Sequence, residues 1–245
     1  MKYLVLVLFA LALAAQAARA SGFGAFNLTW GTGCWRDNPA TLSTSACDSN
    51  DGSVSFTVSF VQNATVPNFD GLEAWLDLQS DSPELPDWWQ LTDPGGCRQG
   101  SLSVSFDPIA TPSGCANPWA GLVESYKYVN WSTAAFPFFG ERPANRALLY
   151  VRYIITSNRV PLPAGVEYFG FTVTINMART VGAGACGGCS TPVTIVLNKI
   201  NLISGGLLTT PLDNQCLRWQ AGGVTPCSAT PTRSSTWGQI KSLYR

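Results

Sequence analysis

The sequence predicts an all-β protein: an antiparallel β-sandwich, jelly-roll or immunoglobulin-like in kind. Three observations lead there. Apolar and polar residues alternate with period two along five stretches. Turn-forming clusters separate them, the clearest being Asn50-Asp51-Gly52, Asp93-Pro94-Gly95-Gly96, Thr111-Pro112-Ser113-Gly114 and Pro161-Leu162-Pro163-Ala164-Gly165. No long stretch keeps a clean helical period, and at least seven strands with turns between them favour a sandwich.

In chain order, Phe26, Leu28 and Trp30 make the first apolar face. Val54, Phe56, Val58 and Phe60 alternate with Ser53, Ser55, Thr57 and Ser59, which reads as a strand with one face on a core and one in water. Leu72, Ala74, Leu76 and Leu78 form another face, with Trp75 on the opposite side beside Glu73 and Asp77. Leu102, Val104 and Phe106 alternate with serines. Asn117-Pro118 fits the start of a short helix carrying Trp119, Leu122, Val123 and Tyr126, while Tyr126 to Trp131 fits a strand equally well. Ala147 to Thr156 is apolar on both sides apart from Arg152, as in a central strand covered on both faces. Phe169, Phe171, Val173, Ile175 and Met177 alternate with Gly170, Thr172, Thr174 and Asn176. In Val193 to Ile203 the apolar phase changes at Asn198-Lys199, the mark of a β-bulge or of a strand that switches sheets.

Three regions are expected. Residues 1–20 read as a signal peptide: Lys2, an apolar run from Leu4 to Ala15, and Ala18-Arg19-Ala20 as the cleavage site. Residues 21–204 form the sandwich. Residues 205–245 read as a linker-like appendage, rich in Thr, Pro and Gly, with a short C-terminal tail. In that tail Trp237, Ile240 and Tyr244 share helical spacing beside Lys241 and Arg245, a face suited to docking on another envelope component. No later stretch is apolar enough for a membrane helix, so the mature chain is expected to be exported without an integral membrane segment.

Composition narrows the chemistry. The 15 basic and 15 acidic residues balance, and excising the leader removes Lys2 and Arg19 and leaves a slight negative charge. Such a balance argues against nucleic acid as a partner. With no histidine, Ser-His-Asp and Cys-His catalysis are excluded. Paired carboxylates need no histidine, and Glu73, Asp77, Asp81 and Glu84 are available for acid-pair hydrolysis, but nothing in the sequence pairs two of them across a cleft. Enzymatic function is not expected, no cofactor or metal is called for, and the oligomeric state is not encoded in any motif. Asp48-Ser49-Asn50-Asp51-Gly52 gathers oxygen ligands but lacks the spacing of a calcium loop, so a turn is expected. Asn27, Asn63 and Asn130 begin N-x-S/T sequons.

Eight cysteines in an exported chain are expected to pair as disulfides. Local pairing gives Cys34/Cys47, Cys97/Cys115, Cys186/Cys189 and Cys216/Cys227. A redox reading of Cys186-Gly187-Gly188-Cys189 lacks the helix that would stabilise a thiolate. A zinc site with Cys216 and Cys227 is disfavoured where thiols oxidise. Trp75, Trp88 and Trp89 are the candidate ligand-binding residues, since exposed tryptophans on a sandwich stack on sugar rings; the competing reading is that the Trp88-Trp89 pair lids one end of the core, or that Trp75 packs under a loop.

Leu72-Glu73-Ala74-Trp75-Leu76-Asp77-Leu78 followed by a Pro/Asp loop resembles an early strand of cohesin-type and carbohydrate-binding-module-like sandwiches. Glu167 to Met177 and Thr191 to Leu202 resemble their closing strands. The resemblance implies a sandwich with an adhesive or scaffolding role. Leu28-Thr29-Trp30, Pro86-Asp87-Trp88-Trp89 and Cys186-Gly187-Gly188-Cys189-Ser190-Thr191-Pro192-Val193 are similar to segments of exported bacterial proteins of uncharacterised activity. The expected function is therefore an exported, disulfide-stabilised, structural or adhesive protein whose partner is an envelope component or a glycan.

Overall fold

The computed structural model describes residues 25–37, 39–91, 94–108, 114–122, 124–133, 143–155, 159–209, 212 and 215–224. Residues 1–20, read as a signal peptide, Cys227 and the tail residues Trp237, Ile240, Lys241, Tyr244 and Arg245 lie outside them. Thirteen strands are present among the described residues: β1 (Ala25–Trp30), β2 (Leu42–Ser43), β3 (Ser53–Val61), β4 (Val66–Phe69), β5 (Gly71–Ser80), β6 (Leu102–Ser105), β7 (Glu124–Ser132), β8 (Arg146–Ile155), β9 (Val160–Leu162), β10 (Glu167–Asn176), β11 (Val193–Ile203), β12 (Leu207–Thr209) and β13 (Cys216–Trp219). They form an antiparallel β-sandwich. Sheet A runs β1-β3-β10-β6; sheet B runs β2-β13-β11-β5-β8-β7, with β12 also on β11; β4 and β9 form a separate clip. The one parallel neighbour pair within these sheets is β13 with β2.

Alternation produces the core. Phe56, Val58 and Phe60 of sheet A and Leu72, Leu76 and Leu78 of sheet B are buried in one apolar cluster between the sheets. Burial of each such side chain contributes about 2 kcal/mol. The segment after Asn117 resolves as a turn, in which Asn117 Oδ1 accepts from the Trp119 amide at 3.0 Å, followed by strand β7. The phase change in β11 is a register shift between Leu197 and Lys199, and it divides the strand's outer edge: β13 pairs before it and β12 after it.

Two departures from simple alternation have local causes. In β10 the register shifts between Phe169 and Phe171, so Phe169 lies opposite Ser59 while Tyr168 lies opposite Phe60 and stacks on its ring. Gly170 makes the shift possible, because a Cβ there would meet Val58 O at 2.8 Å. The second concerns the polar face of sheet A, half of which is out of water: Thr57, Ser59, Thr172 and Glu167 are buried, while Ser53 and Ser103 are exposed. The chain after Trp30 crosses this face and bonds to it. Glu167 accepts from the amides of Trp35 and Arg36 at 3.1 Å each and from Ser59 Oγ at 2.6 Å. Thr57 Oγ1 donates to Gly31 O at 2.9 Å, and the Ala40 amide donates to Thr29 Oγ1 at 3.0 Å. The serines and threonines of β3 are anchors for a covering segment.

The expected appendage is corrected over part of its length. β12 and β13 belong to sheet B, and Leu217 and Trp219 are fully buried in the core. A Thr/Pro/Gly-rich composition concealed two short strands, because strands of three and four residues carry too few alternations to read.

The local disulfide pairing is also corrected. The bonds are Cys34–Cys115, Cys47–Cys189 and Cys97–Cys186; Cys216 is disulfide-bonded as well. Non-neighbouring loops meet at the ends of a sandwich, so the pairing follows topology and ignores sequence separation. Closing loops of 81 to 142 residues stabilises more than closing short ones, about 4.5–5 kcal/mol for each bridge taken singly in the chain-entropy model.

Candidate functional site

Two of the disulfides, Cys47–Cys189 and Cys97–Cys186, and the Trp88-Trp89 pair meet at one end of the sandwich, while Cys34–Cys115 lies toward the Glu167 end of β10. Asp87–Trp89 is a single 3₁₀ turn, and both its tryptophans are fully buried. The Trp88 amide donates to Gly187 O at 2.9 Å. A Cβ on Gly188, whose φ is +93°, would lie 2.3 Å from Pro86 Cβ, so only glycine allows the two segments to touch. The Pro-Asp-Trp-Trp and Cys-Gly-Gly-Cys motifs are two halves of one contact. The two cysteines of the second motif do not bond each other; each holds a different distant loop.

Trp88 is sandwiched. The Trp219 ring stacks on it at 5.4 Å and 14°, and the guanidinium of Arg98 lies 3.7 Å from its ring centroid. Arg98 is fully buried and donates to the carbonyls of Ala178 (3.0 Å), Trp88 (3.1 Å) and Asn176. Burial pulls its pKa down to about 10, which leaves it charged at neutral pH. The nearby Asp48–Gly52 segment works as a clamp: Asn50 Oδ1 accepts from the amides of Thr180 and Val181 at 2.7 and 3.0 Å. Trp88 and Trp89 therefore cannot serve as sugar-stacking residues, because their faces are already occupied by protein.

Trp75 stands elsewhere, on the outer face of sheet B, where the register arranges side chains in cross-strand rows. One row is Lys199-Trp75-Tyr150-Asn130; the next is Asn201-Glu73-Arg152-Tyr128. On the other side of the first row, Val196, Asp77 and Leu148 are buried despite pointing away from the inter-sheet core. The outer face thus has a covered part and an open part. The change is visible along β8: residues 147 to 149 are buried, as expected of a central strand, but Tyr150, Arg152 and Ile154 are half-exposed.

In the open part the Trp75 and Tyr150 rings lie 5.0 Å apart and the Tyr150 and Tyr128 rings 5.9 Å apart, so three aromatic side chains connect across β5, β8 and β7. Trp75 is 8% exposed and Tyr128 is 38% exposed. Lys199 Nζ sits 5.0 Å from the Trp75 ring. Glu73 is buried and accepts from Asn201 Nδ2 at 2.8 Å and from the Tyr150 hydroxyl at 3.3 Å, with Arg152 at 4.0 Å. Burial first, and then the Glu73 carboxylate, push the Tyr150 phenol above its ordinary pKa. Trp75 was legible from sequence; its companions were not. Their one signal was Arg152, a lone charge in an apolar run.

Of the carboxylates named for acid-pair chemistry, two share strand β5. Glu73 and Asp77 stand four residues apart on one strand, about 13 Å, against the roughly 5–9.5 Å that glycoside hydrolysis uses. Asp77 is held by Arg146 at 3.5 Å, and Asp81 accepts from the Val224 amide at 2.8 Å. No cluster of three metal-ligating side chains occurs among the described residues. Between the sheets, the cavity beside Trp89 and Trp131 has room for little more than one water-sized sphere. Of the sequon residues, Asn27 is buried in β1, Asn130 is half-buried in β7, and Asn63 is exposed in the turn after β3.

No protein family model and no curated protein matches the chain. Among solved structures it is similar to the sixth cohesin of Acetivibrio cellulolyticus scaffoldin B, determined in complex with a Cel5 dockerin mutant, at 7% identity over 80% of this chain and 98% of that one, with a TM-score of 0.32. A type II cohesin domain from the cellulosome of the same organism gives 7% identity over 81% and 96%, with a TM-score of 0.33. AvmM, which catalyzes macrocyclization in alchivemycin A biosynthesis, gives 11% identity over 84% and 93%, with a TM-score of 0.34. The likeness to cohesin domains is thus a remote one of form, and at these scores nothing about partner or chemistry is taken from it.

Proposed function

We propose that the protein is an exported, non-catalytic β-sandwich with a structural or adhesive role. The observation that supports this most is the contrast between the bridged loops and the outer face of sheet B. Bridges between distant cysteines brace the fold and belong to an oxidising compartment, while part of one sheet face carries aromatic and cationic side chains at the surface. Three of the four carboxylates named for hydrolysis, Glu73, Asp77 and Asp81, are bonded to neighbours. A second reading, carbohydrate binding, now rests on Trp75 without Trp88 and Trp89. The tail from Trp237 to Arg245 remains a second proposed contact with an envelope component.

Co-sedimentation with cell envelopes of the host tests the reading. The purified chain is expected to pellet with them, and a chain that stays in the supernatant overturns the adhesive role. Deleting residues 233–245 is expected to reduce the pelleted fraction; unchanged retention would remove the tail from the proposal.

A further inference from the structure

The open part of the outer face of sheet B has a chemistry of its own. Rings occupy its middle: Trp75, Tyr150 and Tyr128 connect at 5.0 and 5.9 Å across three adjacent strands. Adjacent strands lie about 4.8 Å apart, close to the repeat of one pyranose unit in a glycan chain. Aromatic faces and edges take the C–H faces of sugars.

Charge adds a second constraint. The carboxylate on these rows, Glu73, is buried, whereas Lys199 is exposed and the Arg152 side chain is 41% exposed. Lys199 stands at the Trp75 end of one row, and Arg152 lies between Glu73 and Tyr128 in the next. Solvent at this face therefore meets the rings of Tyr150 and Tyr128, two cations and the half-buried amide of Asn130, with Trp75 buried beside them. Exposed acidic side chains elsewhere, including Asp48, Asp51, Glu84, Asp87 and Asp107, stand on turns and loops away from these rows.

From this arrangement, and resting on the adhesive reading, we propose that the open part of sheet B binds an acidic polysaccharide, one whose pyranose rings carry carboxylates. Its sugar rings lie on Tyr150 and Tyr128, next to the buried Trp75, and its carboxylates pair with Lys199 and Arg152. A guanidinium offers two parallel N–H donors to a carboxylate, and the lysine supplies a point charge. An acidic peptide would meet the same cations but would leave the row of rings without a matching repeat.

The test is affinity electrophoresis and calorimetry of the full mature chain with polygalacturonate, with dextran and polyglutamate as comparators. Polygalacturonate is expected to retard the protein at low salt and to lose most of that effect at high salt, while dextran has none. Tyr128→Ala and Lys199→Gln are each expected to weaken binding about tenfold, with unchanged thermal unfolding, because both side chains are at the surface. Leu207→Ser, at an exposed position on β12, is expected to leave binding unchanged. No retardation by polygalacturonate overturns the proposal, as does equal retardation by dextran. Binding of polyglutamate that equals polygalacturonate and is indifferent to Tyr128→Ala also overturns it, in favour of an acidic protein partner. If the chain still pellets with envelopes while polygalacturonate fails to bind, the glycan assignment falls and the adhesive reading stands; if it does neither, both fall.

Discussion

Trp88 and Trp75 each carry a cation on an indole ring, and they differ in everything that surrounds it. Arg98 lies 3.7 Å from the Trp88 centroid, fully buried, with its donors spent on three main-chain carbonyls. Lys199 lies 5.0 Å from the Trp75 centroid at the surface. The first pair is cement: it joins the Asp87–Trp89 turn, the Trp219 strand and the loop holding Cys186. The second leaves its cation facing solvent. One kind of contact, a cation on an indole ring, is sealed into the structure in one place and left open to solvent in the other, and neither local sequence states which.

Substitutions can break or sharpen that contrast. Arg98→Met is expected to cost the most, about 4 kcal/mol in urea unfolding followed by tryptophan fluorescence, because three buried carbonyls lose their donor. A cost under 1 kcal/mol would show that water replaces the guanidinium. Replacing Cys97 and Cys186 by serine is expected to cost about 3 kcal/mol, less than the bridge taken singly because the other two bridges already shorten the loop it closes. Peptide mapping of the parent without reduction should recover that bridge and Cys47–Cys189, and a Cys186–Cys189 peptide would refute this pairing. Gly188→Ala is expected to cost about 2 kcal/mol, through its positive φ and the contact with Pro86.

At the open face the expected effects are small. Tyr150→Phe is expected to stay within about 0.5 kcal/mol at pH 7 but to alter the alkaline limb. The folded state holds the Tyr150 phenol above its ordinary value of 10.0, so its contribution is fully present below pH 10 and is lost as pH rises through the higher folded value. The variant should therefore lose stability less steeply above pH 10, measured by thermal unfolding across that range. Lys199→Gln is expected to change stability least, by under about 0.5 kcal/mol, since an exposed cation–ring contact contributes little.

Much of this fold was legible because a strand's side chains alternate. The faces of β3, β5 and β6 follow the sequence directly, and the β11 bulge is written in the broken phase at Asn198-Lys199. Alternation says which residues share a face; it is silent on what lies against that face. Thr57 and Ser59 look like wet residues and are buried under the segment from Gly31 to Ala40. Phe169 is buried as its sequence suggests, but not in phase with Phe171, because one glycine shifts the register between them. The disulfide pairing was illegible for a related reason. Which loops meet at one end of a sandwich depends on strand order, and strand order is a property of the whole chain. The candidate face suffered in the same way: Trp75, Tyr150 and Tyr128 are separated in sequence and adjoin only through β5-β8-β7 pairing.

The crossed disulfides also bear on what a protease can do to this protein. Consider a single cut of the chain anywhere between Cys47 and Cys186. The two pieces remain joined by at least two of the three bridges Cys34–Cys115, Cys47–Cys189 and Cys97–Cys186, whichever loop is opened. Local pairing would have left most such cuts free to release a fragment. Interlaced pairing turns the sandwich into overlapping covalent rings, so a nick at an exposed turn costs one peptide bond and leaves the molecule in one piece.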